Sequence, residues 1–150
     1  MKDLKQKLMI MQMDAKLKEF SPLLKHQLPE GGWIQSIRTT LKMSLRQFGE
    51  RMKVTRQGAE NLEKREKEGA ITLKSLEEAG RVLNMKFVYG FVPMEGSIEN
   101  KARALALKIV KTTSDTMALE DQKNTKKRLK KAVEEKTKQL VYEMPRHLWD

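Results

Sequence analysis

Apolar residues between Met43 and Glu66 recur with the period of two short amphipathic helices. Ser44, with Gln47 three residues further on, has the spacing of a capping box, in which each side chain accepts a hydrogen bond from a backbone N–H at the start of a helix. Thr55 offers the same kind of cap to a second helix. The apolar positions that follow the two caps are Leu45, Phe48 and Met52, then Ala59 and Leu62. The pattern therefore predicts a helix, a short turn and a second helix.

The turn between these helices requires small residues where the two helices touch, because only three or four residues join them. Gly49 and Ala59 are such residues, and Val54 is expected to lie buried beneath the turn. With the apolar side facing inward, polar side chains remain on the outer side of the second helix. These are Arg56, Gln57, Glu60, Asn61 and Lys64.

Three of these outward side chains have the chemistry needed to read base edges in DNA. Arg56 is suited to a forked contact with guanine, and Gln57 and Asn61 are suited to paired hydrogen bonds with adenine. Other polar residues at the helix starts and on the outer face are candidate phosphate contacts: Ser44, Arg46, Thr55, Lys64 and Lys67. An ordinary helical hairpin with a solvated polar face is the alternative interpretation of the same pattern.

The stretch from Trp33 to Asn84 resembles the lambda-repressor and Cro type of helix-turn-helix domain, the XRE family. The motif IR..L..SLRQFGERMKVT..GAENLE carries the resemblance. It implies a bundle of four or five helices in which Leu45–Met52 supports a recognition helix running from Thr55 to about Lys64. It also implies an internal ion pair between Arg38 and Glu63, with Arg38 placed to touch a phosphate as well. Two departures are Leu45, where many members have Gln, and Lys53, where the turn usually has Gly. Either Lys53 adopts a left-handed backbone, which is costly for a residue with a Cβ, or the turn differs slightly from that of the family.

A second resemblance covers nearly the whole chain and is carried by four segments: GGWIQSIR, SLRQFGERMKVT, ITLKSLEEAGRVLNMKFVYGFVP and the terminal RHLWD. These segments are similar to the mobile mystery protein A family, small regulators of mobile elements typically encoded beside a Fic-domain protein. The resemblance implies an autorepressor and antitoxin-like partner of a Fic-domain protein. The alternative is a protein-only inhibitor that binds a Fic enzyme directly, with DNA binding secondary. Inhibition by an inserted helix requires Ser or Thr four residues before a Glu-Gly or Glu-Asn pair, and none of the chain's four such pairs has one.

The flanking segments indicate three parts: residues 1–32 with an N-terminal helix and linker, residues 33–93 with the DNA-binding domain, and residues 94–150 as a basic helical extension. The first helix is expected to end before Pro22 and to pack through a stripe of Leu4, Leu8, Met11 and Ala15. That stripe could dock on its own domain, on a twin subunit or on another protein. The extension predicts two helices, with apolar positions at Ala102, Leu105 and Ile109, then Leu129, Val133 and Leu140.

The run from Lys86 to Val92 has the period of a β-strand, so the expected fold class is mainly α with one short strand. Phe87, Tyr89 and Phe91 alternate with Val88 and Val92. A lone strand needs a pairing partner, and in some antitoxins of the XRE type such strands pair across a two-fold axis, so the resemblance implies a homodimer. Such a dimer sets two recognition helices about 34 Å apart and reads a near-palindromic operator. The alternative is pairing within the chain, near Ala70 and Ile71.

The composition agrees with a polyanionic partner and argues against a metal protein, an enzyme and a membrane protein. Lys and Arg number 31 against 20 Asp and Glu, which gives a formal charge of +11 over 150 residues. This charge is also compatible with a nonspecific nucleoid-like binder. There are no cysteines and only two histidines, so no metal or other cofactor is expected, and no catalytic motif indicates an enzyme. The absence of a long apolar run or a secretory signal predicts a cytoplasmic protein without a membrane span.

Overall fold

The computed structural model of the chain describes residues 2–114 and 123–150. Within these ranges the chain is mainly helical, as the sequence predicts, and no residue there is in a β-strand. None of the helices described combines the length and the apolar character that crossing a bilayer requires. The chain forms two compact units: residues 26–89 form one, and the flanking segments up to residue 25 and from residue 90 onward form the other.

Seven α-helices and two short 3-10 helices account for the regular structure of the described residues. The α-helices are α1 Lys2–Lys18, α2 Trp33–Thr40, α3 Leu45–Met52, α4 Arg56–Glu68, α5 Leu73–Val82, α6 Ile98–Ser114 and α7 Lys123–Glu143. The 3-10 helices are Ser21–Lys25 and Arg146–Trp149.

The unit formed by residues 26–89 packs α2 to α5 around one apolar cluster. Phe48 of α3 is its largest fully buried side chain, and removing such a side chain from water contributes about 1.5 to 3 kcal/mol to folding. The other buried members are Ile34, Ala59, Leu62, Ala79 and Leu83. Ala59 is small enough to let α4 lie close against α3, which agrees with the predicted crossing.

A buried ion pair joins α2 to α4. The Arg38 guanidinium donates through Nε and Nη2 to the two carboxylate oxygens of Glu63, the second at 3.3 Å. Its Nη1 donates to the backbone carbonyl of Met43 at 2.8 Å, just before the start of α3. A single side chain therefore connects α2, α4 and the link between α2 and α3.

A second acidic residue of α4 holds the beginning of α2. Gly32 precedes α2 and has no side chain with which to cap it. The Glu66 carboxylate instead accepts hydrogen bonds from the backbone N–H of Trp33 at 2.8 Å and of Ile34 at 2.9 Å. A negative charge at this end of a helix is also favoured by the helix dipole. Glu63 and Glu66, one turn apart, thus hold both ends of α2.

The other unit packs α1 against α6 and α7. Its buried apolar residues are Ile10, Ala102, Ala106, Leu140, Val141 and Leu148. Ala102 and Ala106 are fully buried one turn apart, so α6 presents a smooth surface to its neighbours. The Asp14 carboxylate of α1 accepts hydrogen bonds from the backbone N–H of Ile98 at 2.7 Å and of Glu99 at 3.2 Å, which caps α6.

The stripe predicted on α1 does not pack against the described part of its own unit, so its docking on a twin subunit or on another protein stays a prediction. Leu4, Leu8, Met11 and Ala15 are exposed, whereas Ile10 is buried on another side of the helix. The polar Asp14 lies on the packed side because its carboxylate caps α6, so apolar periodicity alone does not indicate which side of α1 packs against α6 and α7. The described structure does settle where α1 docks, since its packed side contacts α6 and α7 of its own unit.

The strand predicted from Lys86 to Val92 is absent from the structure, in which residues 85–93 have no regular secondary structure. A strand needs backbone hydrogen bonds to a neighbouring strand, and one donor of the proposed internal partner, the region of Ala70 and Ile71, is already used. The N–H of Ala70 donates to the carbonyl of Arg65 at the end of α4, at 2.7 Å. Phe87 and Tyr89 do lie on one side, with ring centroids 5.9 Å apart.

Removing one partner of the Arg38–Glu63 pair is expected to destabilise the unit strongly. Glu63→Leu leaves a buried guanidinium without its counter-charge, and we expect the free energy of unfolding to fall by about 3 to 5 kcal/mol. The double variant Arg38→Met/Glu63→Leu buries no charge and should lose less than the single variant. Urea unfolding followed by circular dichroism measures both.

The matched control is Glu50→Ala, which removes the exposed ion pair between Arg46 and Glu50 at 2.7 Å. Exposed pairs contribute about 0 to 1 kcal/mol, so this variant should unfold close to the original. Equal losses for Glu63→Leu and Glu50→Ala would show that burial of the first pair does not matter.

Candidate nucleic-acid interface

Side-chain caps define the starts of α3 and α4. The Ser44 hydroxyl oxygen accepts from the N–H of Gln47 at 3.1 Å, and the Gln47 side-chain oxygen accepts from the N–H of Ser44 at 2.9 Å. This is the reciprocal capping box that the sequence predicts. At α4, the Thr55 hydroxyl oxygen accepts from the N–H of Gly58 at 3.0 Å. Each hydroxyl uses an oxygen lone pair for its cap, so its own O–H stays available as a donor.

The turn between the two helices brings backbone, not side chain, against α3. Lys53 adopts the left-handed conformation, with φ 59° and ψ 39°. Of the two alternatives that the sequence left open, a left-handed Lys53 or an altered turn, the structure has the first. A Cβ at Gly49 would lie 3.0 Å from the carbonyl oxygens of both Val54 and Thr55. The expectation that Val54 is buried is wrong, since Val54 is 41% exposed. The Val54 side chain instead lies beside Gly58 in the first turn of α4.

One side of α4 is committed to the fold and the other is open. Ala59, Leu62 and Glu63 are buried. The polar residues predicted to face outward are all exposed: Arg56, Gln57, Glu60, Asn61 and Lys64. The three candidate base readers therefore lie on one accessible surface within the first two turns of the helix, which is the part that enters the major groove in helix-turn-helix proteins.

Two of the candidate base readers contact each other. The Gln57 side-chain nitrogen donates to the Asn61 side-chain oxygen at 3.3 Å, one turn along α4. An amide carries two donors and an acceptor with two lone pairs, so each side chain keeps hydrogen-bonding capacity for a base edge. The contact restrains the rotamers of both side chains before any ligand is present.

Of the residues predicted to contact phosphate, all are exposed except Arg38, which is buried. Ser44, Arg46, Thr55, Lys64 and Lys67 are exposed. Arg46 is partly committed, because its Nη1 donates to Glu50. Arg38 differs from these, since its side chain is 11% exposed and three of its five N–H groups have acceptors within the protein. Any phosphate contact of Arg38 would use the remaining N–H groups.

Sequence reasoning missed Glu66, which caps α2 from a distance of more than 30 residues along the chain. A signal was present, since the two glycines before Trp33 provide no cap of their own and a helix start needs acceptors for its first N–H groups. The contact between Gln57 and Asn61 could have been predicted from their spacing of four. Among the described residues, no three His, Asp or Glu side chains cluster as metal ligands do.

No protein-family model matches the chain, and neither a curated protein nor a solved structure does. The interpretation of the exposed side of α4 therefore depends on its residues and their geometry, together with the sequence resemblances described above.

Substitutions of Gly49, which α3 places against the turn, and of Lys53 in the turn should change stability in opposite directions. Gly49→Ala forces two backbone carbonyls away from α3, and we expect a loss of about 1 to 3 kcal/mol in the free energy of unfolding. The loss comes despite the helix preference of Ala over Gly, which is about 0.5 to 1 kcal/mol. Lys53→Gly relieves the left-handed backbone and should gain up to about 1 kcal/mol. Thermal and urea unfolding measure both, and a stabilised Gly49→Ala variant would contradict this packing of the turn.

Proposed function

We propose that this chain is a sequence-specific, double-stranded DNA-binding transcription regulator that reads DNA through the exposed side of α4. The observation that carries the proposal is the division of α4. Glu63 and Glu66 hold the helix to α2, while Arg56, Gln57 and Asn61 are exposed together on it. A helix held firmly on one side and polar on the other is suited to enter the major groove.

In this proposal, α2 to α5 form a helix-turn-helix domain of the lambda-repressor type. The helix α3 lies across the DNA backbone, and α4 is the recognition helix. The resemblance to the XRE family supports this arrangement, as do the caps at Ser44 and Thr55 and the three-residue turn between α3 and α4.

Base reading and phosphate contact use different residues. Arg56 forks onto guanine, and Gln57 and Asn61 pair with adenine, each good bidentate contact giving about 1 to 3 kcal/mol of discrimination. The exposed Arg46, Lys64 and Lys67 bind phosphates, together with the hydroxyls of Ser44 and Thr55. The formal charge of +11 supports attraction to DNA in general, so specificity depends on the α4 contacts.

The proposed regulator is a homodimer that reads a near-palindromic operator. Support comes from the connecting segment of residues 86–92, in which Val88, Tyr89 and Phe91 are largely exposed. The alternating pattern of this segment is that of a strand, and a second copy would supply the backbone partner that a single chain does not. Strand pairing of this kind is a known mode of association between chains.

The biological role that we propose is autorepression within a mobile-element gene pair, in the cytoplasm, with a Fic-domain protein as the antitoxin-like partner. The similarity of four sequence segments to the mobile mystery protein A family supports this role. Direct inhibition of a Fic enzyme, with DNA binding secondary, is the competing function. The two differ in outcome, since only the first requires an operator.

Selection from random duplex DNA tests the reading by α4. The unaltered protein should enrich a near-palindromic site, and Arg56→Ala/Gln57→Ala should lose that enrichment and bind the selected site at least about tenfold more weakly. The matched control Arg103→Ala/Gln12→Ala changes the same two residue types at exposed positions of the other unit and should keep the site. Unchanged enrichment by the first variant would remove Arg56 and Gln57 from the specificity role. Steep salt dependence without any enriched site would identify a nonspecific binder.

Lysines in the connecting segment test the dimer. Tyr89→Lys/Phe91→Lys places like charges where two copies would meet and is expected to convert a dimer to a monomer in sedimentation velocity. It should also weaken binding to the full palindrome more than binding to a half-site. The control Leu28→Lys/Leu73→Lys alters two exposed apolar residues elsewhere and should remain dimeric. A dimer that persists in the first variant would assign the interface to another surface.

A further inference from the structure

The connections that lead into α3 and into α4 repeat one pattern. Lys42 lies two residues before the cap Ser44, and Lys53 lies two residues before the cap Thr55. Both lysines have a left-handed backbone, with φ 56° at Lys42 and 59° at Lys53. Each connection therefore consists of a left-handed lysine, an apolar residue and a capping hydroxyl. We call Lys42 and Lys53 the turn lysines.

A left-handed backbone suits glycine better than lysine, because a Cβ crowds the neighbouring carbonyl oxygen. The chain has glycine in this conformation where α4 ends, at Gly69 with φ 75°. The turn lysines thus occupy two positions at which glycine would relieve the backbone. Residues in sparsely populated conformations cluster at functional sites, so a role for the two lysine side chains is expected.

The fold itself gives the side chains of the turn lysines no contact. Both residues are exposed, and neither ammonium group has a hydrogen bond or an ion pair with the residues that the structure describes. A lysine that follows a helix also interacts favourably with the negative end of the helix dipole. This interaction is the alternative explanation for the two positions.

The chain around the turn lysines is basic. Residues 39–59 contain five Lys or Arg and a single acidic residue, Glu50. The Glu50 carboxylate is already paired, since it lies 2.7 Å from Nη1 of Arg46. The next acidic residue along the chain is Glu60, which is exposed one turn beyond Arg56 on α4. The two connections therefore favour an anion.

We propose that the turn lysines bind two phosphate groups of duplex DNA beside the hydroxyls of Ser44 and Thr55. Two residues of chain span at most about 7 Å, and lysine carries a point charge on a flexible four-carbon stem. Each ammonium group can therefore reach a phosphate that accepts a hydrogen bond from the neighbouring hydroxyl. The inference rests on the proposed function and adds contacts that position α4 on the duplex without reading its sequence.

The variant Lys42→Gly/Lys53→Gly tests the inference because it should change stability and DNA binding in opposite directions. It relieves two left-handed residues, so the unfolding temperature of the full chain should rise. It also removes two phosphate contacts, so the selected duplex and a shuffled duplex should both bind more weakly, by the same factor. The slope of log binding constant against log salt concentration should become shallower by about 2. Fluorescence anisotropy of labelled duplexes and thermal unfolding measure these quantities.

Three controls separate the charge of the turn lysines from their backbone and from net charge. Lys42→Gln/Lys53→Gln keeps both Cβ atoms and should show the shallower slope without the gain in stability. Asn84→Gly relieves another left-handed residue, with φ 57°, and should leave DNA binding unchanged. Lys74→Gln/Arg81→Gln removes the same charge from exposed positions of α5 and should leave the slope nearly unchanged.

An unchanged salt slope in both double variants of the turn lysines, with preference for the selected duplex kept, would overturn this inference alone. An equal reduction of the slope by Lys74→Gln/Arg81→Gln would overturn it too, since the effect would then belong to net charge. Loss of stability in Lys42→Gln/Lys53→Gln without a change in slope would assign the lysines to the helix dipoles. Equal binding of selected and shuffled duplexes by the unaltered chain would instead remove sequence-specific reading, and the slope would still test the turn lysines.

Discussion

The central constraint in the unit of residues 26–89 is the burial of the Arg38 guanidinium. A buried guanidinium must have its charge and its N–H groups satisfied, and only acceptors at fixed places can do this. Glu63 supplies the carboxylate, and the carbonyl of Met43 supplies a further acceptor. These two acceptors come from α4 and from the chain just before α3, so one buried charge sets the positions of three helices. Glu66 adds a second tie between α4 and the start of α2.

This arrangement separates the two sides of α4. The inner side holds Glu63 and Leu62 against the rest of the unit, and the outer side has no structural task. The polar side chains on the outer side can therefore vary to suit a ligand without disturbing the packing of the unit. The contact between Gln57 and Asn61 belongs to that outer side and lowers the entropy cost of ordering either side chain on binding.

Local sequence signals predicted the helices and caps of this unit. They failed where a contact depends on a residue far away in the sequence, or on a second strand that the described chain does not provide. The caps at Ser44 and Thr55 depend on residues three positions away, so spacing alone revealed them. Glu66 caps α2 across the fold, and no local pattern locates such a partner. The side of α1 that packs against α6 and α7 was not predicted, because apolar periodicity does not indicate the capping role of Asp14. The strand expected at residues 86–92 has the right alternation, but alternation cannot supply the second strand that hydrogen bonding requires.

The most direct test of DNA reading by α4 is an NMR titration of the isotopically labelled chain with its selected duplex and with a shuffled duplex of equal length. The account predicts that the duplex of selected sequence shifts the backbone signals of the first two turns of α4 and the side-chain amide signals of Gln57 and Asn61. The shuffled duplex should shift these side-chain signals far less. Changes concentrated in α1, α6 and α7, with the α4 signals unmoved, would contradict the account.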